Sequence, residues 1–177
     1  YLGKIAYWNL PAGNGTVIDI THAPGRRGPL ALVDFSGKKQ YVLAGEGMQV
    51  GQEFSVSKIK DIPEGSKIYN VEIEPGDGGR LCRSSGAFAT IVSKEANRCT
   101  ILLPSQEKKI ISADCTATIG SVASSGRTEK PFMKAGNKFY QMRGLGKLYP
   151  TTSGVAMNAV DHPFGGQTRP GKPKTVS

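Results

Sequence analysis

Apolar residues alternate with polar ones in short blocks along most of the first 125 residues, and clusters of turn formers interrupt the pattern about every ten residues. A period of two puts successive side chains on opposite faces of an extended segment. It predicts strands over 16–20, 30–35, 40–44, 53–57, 67–74, 88–93, 99–103, 108–112 and 116–123. Between them fall APGRRGP (23–29), SGKK (36–39), GEG (45–47), PEGS (63–66), PGDGG (75–79) and PSQEKK (104–109). No window sustains a 3.6-residue apolar period over three turns. Short antiparallel strands at this spacing leave few open edges only by closing into barrels. The expected class is all-β. A boundary falls around 59–64, where KIKDIPEG separates two sets of strands, each large enough for one small barrel.

Composition narrows the partners. The 177 residues carry a formal charge of +9, and 38% are hydrophobic against 23 glycines and 11 prolines. That balance suits small, turn-rich barrels or a chain anchored by a partner. The excess of Lys and Arg attracts a polyanion. It is concentrated after residue 128, where eight basic residues face only Glu129 and Asp161, a net of +6. This glycine- and proline-rich tail has no strand pattern and cannot by itself bury enough apolar surface to offset its ordering entropy. It is expected to become ordered on its partner. The longest apolar runs, such as Leu30 to Val33, are far too short to cross a bilayer, and no signal-peptide-length stretch opens the chain, so a soluble compartment is expected. Tyr1 is not an initiator Met and KPKTVS reads as an interruption, so both ends are taken as provisional.

Residues able to do chemistry are few. Cys82, Cys99 and Cys115 form no close pair, and three is an odd count, so they are expected as small buried hydrophobes in a reducing environment. With only His22 and His162 to help, no zinc set forms, and no metal ligand is expected. Asp161 and His162 are neighbours, but adjacent residues in an extended segment point apart and no nucleophile motif accompanies them. The glycine-rich PGDGGRLCRSSG (75–86) and SSGRTEKP (124–131) lack the Gly-Lys-Ser/Thr of a nucleotide-binding loop. Their glycines serve turns and equally let backbone amides approach phosphate, beside Arg80, Arg83, Arg127 and Lys130. Basic pairs recur in other loops (Arg26–Arg27, Lys38–Lys39, Lys108–Lys109), and aromatics are interleaved with tail cations at Phe132, Phe139, Tyr140 and Tyr149. RNA is the polyanion this pattern favours, with phosphate contact better supported than base stacking.

The segment GVAMNAVDHPFGG (154–166) resembles the signature of the universal large-subunit ribosomal protein family conventionally called L-two. The resemblance extends through GTVIDITHAPGRRGPLALVDF (15–35), IPEGSKIYNVEIEPGDGGRLCRSSG (62–86) and CTATIGSVASSGRTEKPFMKAGNKFYQM (115–142), in order, and so over nearly the whole chain. MNAVDHPFGG, with Phe164 where bacterial members usually have His, looks archaeal. The resemblance implies an OB-fold barrel over 1–59, an SH3-like barrel over 60–135 and an extended basic tail over 136–177 that penetrates RNA. It implies a non-enzymatic constituent of the large subunit that binds its rRNA and supports subunit association, tRNA binding and assembly of the peptidyl-transferase centre. The family's functionally noted histidine carries over to His162. The expected RNA-binding residues are Arg26, Arg27, Arg80, Arg83, Arg127, Lys130, Lys134, Lys138, Arg143, Lys147, Asn158, His162, Gly165, Gly166, Arg169, Lys172 and Lys174. No cofactor is expected, magnesium ions entering only with the surrounding rRNA. Expected partners are that rRNA, neighbouring ribosomal proteins and the small subunit at the bridge, in the cytoplasm, with no membrane and no homo-oligomer. The chain departs from the family in lacking a basic N-terminal arm and an Arg-rich end, in a shorter segment between Ser57 and Asp61, and in the wording of SVASSGR (121–127) and QTRPGKP (167–173).

Overall fold

Ser36 and Gly37 both take positive φ, 53° and 94°, and this two-residue turn carries the chain back on itself between the predicted strands at its flanks. A turn of that twist matches the twist of a β-hairpin. The Asp34 carboxylate fixes it by accepting from the Gly37 N–H at 2.7 Å. In the computed structural model, which describes Ile5 and residues 14–166, the hairpin joins β2 (Leu30–Phe35) to β3 (Lys38–Leu43). With β1 (Gly15–Thr21) and β4 (Glu53–Phe54) they form an antiparallel sheet in the order β3-β2-β1-β4. A register shift between Val17 and Asp19 bends β1, as a bulge does. The inward set, Val17, Leu30, Val33, Phe35, Val42, Leu43 and Phe54, makes the first core, with Phe35 edge-on to Phe54.

Past Phe54 the chain leaves this sheet, and β5 (Ser57–Lys58) already belongs to the next. The predicted strand over 53–57 is therefore two strands in two sheets. The second sheet adds β6 (Lys67–Tyr69), β7 (Ala89–Lys94), β8 (Arg98–Leu102), β9 (Lys108–Ser112) and β10 (Thr116–Ile119), ordered β5-β10-β6-β7-β8-β9. Ile59, Ile62, Ile68, Val71, Ile91, Ile101 and Ile111 fill its core, with the free thiols of Cys99 and Cys115 among them. Fully burying one such aliphatic side chain contributes about 1.5–3 kcal/mol. The class is all-β, and the two curled sheets fit the OB-fold and SH3-like barrels that the resemblance implies.

The two sheets are stapled together. Tyr69 and Val122 come from the second region of the chain but pack in the first core. The Tyr69 hydroxyl donates to the Leu43 carbonyl at 3.3 Å, the Ala123 N–H donates to Ala44 at 3.0 Å, and Gly45 bridges to Val122. The predicted strand over 67–74 stops at Tyr69 because Asn70 takes a φ of 50°. Beyond it a buried carboxylate organises the loop: Glu72 accepts from the Gly78 N–H at 3.1 Å and from the Thr116 N–H at 2.8 Å.

The chain divides into two compact units, Tyr1–Pro131, which holds both sheets, and Phe132–Ser177. In the second unit the backbone is not extended throughout. Residues Ala135–Gly144 form α1, and Gly154–Ala156 a single 3-10 turn. No residue of α1 is buried, so it has no apolar stripe, and periodicity could not reveal it. Among the described residues, no helix is long and apolar enough to cross a membrane.

Candidate nucleic-acid interface

Three loops of the first unit converge. The loop between β1 and β2 carries Arg26 and Arg27, the loop after β6 carries Arg80 and Arg83, and the segment after β10 carries Arg127. A Cβ on Gly28 would lie 3.3 Å from the Ala123 carbonyl and 3.8 Å from Ser85, and one on Gly86 would lie 2.8 Å from Ser125. These glycines thus let three backbones touch. The Gly86 N–H donates to Val122 at 2.9 Å, and the Val122 N–H to Ala87 at 3.2 Å. Arg127 Nε donates to the Ser85 hydroxyl at 2.9 Å, so the guanidinium itself bridges two of the loops. Arg83 is anchored further: its two terminal nitrogens donate to the carbonyls of Gly79 (2.8 Å) and Ile5 (3.1 Å). Arg27, Arg80 and Lys130 are exposed. The result is a rim of cationic side chains on a rigid backbone platform, the arrangement that positions a phosphate chain without reading its bases.

The second unit gathers a different group. Lys134 precedes α1, Lys138 and Arg143 lie on it and Lys147 follows it, with no acidic residue anywhere in 131–160. Further on, residues 153–166 fold into a turn closed by their own backbone. The N–H groups of Asp161 and His162 both donate to the Asn158 carbonyl, at 3.0 and 3.2 Å, and the Gly166 N–H donates to Met157 at 3.2 Å. A Cβ on Gly165 would overlap the Asn158 carbonyl and come 2.5 Å from that of Met157, so glycine there is required by the turn itself. Gly166 has a φ of 106°. The imidazole of His162 lies flat against Gly154, where any side chain would overlap it, and edge-on to Phe164 at 4.9 Å.

His162 is also oriented. Its Nδ1 accepts from the Phe164 N–H at 3.1 Å, so in this geometry the ring proton belongs on Nε2, which is left as a donor. Nδ1 is thus taken by a backbone amide and not by the neighbouring Asp161 carboxylate, and the acid–base pairing imaginable from their adjacency does not form. Asn158 contributes its carbonyl to the turn while the residue as a whole stays exposed. Gly154 and Phe164, which seat the histidine, carry no periodic or charge signal of their own. Gly154 could be found only by knowing that the chain returns to it eight residues later.

The structure therefore joins the loops that carry Arg26 and Arg27, Arg83, and Arg127 through backbone contacts near Gly28, Ser85 and Val122, with Arg80 earlier in the same loop as Arg83, and seats His162, Gly165 and Gly166 in one turn; Arg169, Lys172 and Lys174 lie outside the described residues. Among the described residues, no three His, Cys, Asp or Glu side chains come together as a metal site. The Cys82 and Cys115 thiols are pushed up to about 11 by burial, the opposite of an activated nucleophile.

Comparison with known proteins agrees along the chain. Residues 9–56 match the family model described as Ribosomal Proteins L2, RNA binding N-terminal domain, and residues 49–177 match Ribosomal Proteins L2, C-terminal domain. Similar relatives are archaeal proteins named large ribosomal subunit protein uL2. That of Natronomonas pharaonis is 49% identical, covering 92% of this chain and 73% of the relative. That of Methanococcoides burtonii is 47% identical (93% and 75%), and that of Haloarcula marismortui 48% (92% and 74%).

Proposed function

Because the chain belongs to the ribosomal protein L2 family, we propose that its two cationic sites dock on large-subunit rRNA in distinct ways. The family role is structural: the chain is an RNA-binding constituent of the large ribosomal subunit and not an enzyme. The loop cluster of Arg26, Arg27, Arg80, Arg83 and Arg127, with Lys130 beside it in sequence, clamps the phosphate backbone. Lys134, Lys138, Arg143 and Lys147 neutralise phosphates along α1, with Arg169, Lys172 and Lys174 continuing the series in sequence. The turn at 153–166 carries the most specific contact. A histidine seated on glycine and fixed by a backbone amide presents Nε2–H as a donor to a phosphate or ribose oxygen. That single observation carries the reading, because such pre-orientation has no use in a freely solvated loop.

Through these contacts the chain supports assembly of the peptidyl-transferase centre, tRNA binding and association with the small subunit, beside neighbouring ribosomal proteins in the cytoplasm. It acts as one copy, and magnesium ions reach the site only as part of the rRNA. The test is sedimentation: the tagged full chain, expressed in its native cells, is expected to stay on large subunits through a high-salt wash at one copy per particle. Release into the soluble fraction refutes integral membership. His162→Ala is expected to lower large-subunit assembly or activity without changing the unfolding of the barrels, and particles indistinguishable from wild type would refute its role.

A further inference from the structure

Helix α1 has no buried residue, yet it carries two large aromatics. Phe139 is 41% exposed and Tyr140 69%, and their rings meet edge-on at 5.5 Å. Both count among the exposed large apolar side chains of the described residues. Tyr140 is flanked at four residues on either side by Gly136 and Gly144, which share its helix face. Neither glycine is needed by the fold: neither has positive φ, and a Cβ on either would meet nothing within 4 Å. Both lie in the end turns of α1, where glycine costs a helix less than in its middle, and both leave the face beside Tyr140 without a side chain. The charges around this face state the partner's chemistry. Lys134, Arg143 and Lys147 are exposed, Lys138 lies 5.0 Å from the ring centre of Tyr149, and no acidic residue intervenes.

We propose that the Phe139–Tyr140 face of α1 is a stacking platform for an unpaired base of the large-subunit rRNA. Gly136 and Gly144 clear the helix surface on either side of Tyr140, so a planar base can lie against the ring while its flanking phosphates meet the exposed cations of the same segment, Lys134, Arg143 and Lys147. This rests on the rRNA-binding reading and adds base stacking to what the sequence supports only as phosphate contact. Exposed aromatics beside cations are how proteins hold single-stranded nucleic acid, each stacked base strengthening binding by about five- to 150-fold.

The experiment uses whole large subunits carrying the full chain. Ultraviolet irradiation followed by mass spectrometry is expected to find a nucleotide covalently attached to the peptide containing Phe139 and Tyr140. Base-specific chemical probing of particles with Tyr140→Leu is expected to expose one or two discrete nucleotides several-fold, while Tyr140→Phe, which keeps the ring, leaves them protected. Particles that retain the chain but give no such crosslink overturn the proposal. So does a Tyr140→Leu probing pattern that matches wild type or changes only diffusely along the backbone. Should Tyr140→Leu fail to incorporate, the wild-type crosslink decides the matter. Failure of the wild-type chain to remain on the subunit refutes the underlying reading instead, and is seen in the same sedimentation step.

Discussion

Replacing Gly165 with Ala adds one methyl group where the turn has no room for it. The new Cβ would overlap the Asn158 carbonyl and come 2.5 Å from that of Met157. Both obstacles are backbone, so no side chain can swing aside. Relief requires those two carbonyls to rotate, and they accept three of the bonds that close the turn: from Asp161 at 3.0 Å, His162 at 3.2 Å and Gly166 at 3.2 Å. At a net of about 0.5–1.5 kcal/mol for each hydrogen bond, opening the turn costs about 1.5–4.5 kcal/mol. If docking requires the closed turn, its equilibrium weakens by roughly ten- to two-thousandfold. The assay is quantitative mass spectrometry of chain occupancy in large subunits washed at increasing salt, with Val160→Ala as control, since Val160 is 92% exposed. The Gly165→Ala chain is expected to leave the particle at lower salt, while the barrels of the purified full chain unfold at the wild-type temperature, both cores lying in the other unit. Wild-type occupancy at every salt would refute the claim that this turn must be closed to bind.

Other outcomes follow from the barrels. Glu72→Ala leaves the N–H groups of Gly78 and Thr116 without their acceptor in a buried place, and should destabilise the chain by at least about 2 kcal/mol; an unchanged urea midpoint would show that the loop does not depend on this carboxylate. Because burial raises Cys115 from 9.0 to about 11, its thiolate at pH 8 falls to roughly a hundredth of that of a thiol at 9.0. Native Cys115 should therefore be alkylated by iodoacetamide about a hundredfold more slowly than in urea, and rapid native labelling would contradict its burial. The hydrogen bond and charge of Lys60, then those of Lys58, hold the Asp114 carboxyl below its usual 3.8. A lowered carboxyl contributes stability that is full above its unfolded value and is lost as pH falls through the folded one. Asp114→Asn should flatten the acid limb of the melting temperature below about pH 4, and an unchanged limb would show that this exposed cluster contributes nothing.

What could be read in advance divides along a physical line. The strands were legible because each buries one face, and burial writes a period of two into residues such as Val17, Val33, Ile91 and Ile101. A turn over 36–39 was legible because positive φ values call for turn residues, but it closes over Ser36–Gly37 alone, Lys38 and Lys39 already pairing in β3. Helix α1 was not, since a helix with no fully buried residue has little reason to be periodic. For the same reason the division of 53–57 between two sheets was hidden: alternation reports which face is buried and not against which neighbour. At the site, the cations were visible as charge, but their grouping was not, because Gly28, Gly86 and Gly154 act through contacts with residues distant in sequence. The two glycine classes make the distinction testable. Gly165 is glycine because its own chain crowds it, whereas Gly136 and Gly144 are surrounded by empty space. A sequence satisfies constraints from its partner as well as from its fold. Where a helix keeps glycines its own packing does not need, beside aromatics its core does not cover, the surface that explains them belongs to the RNA.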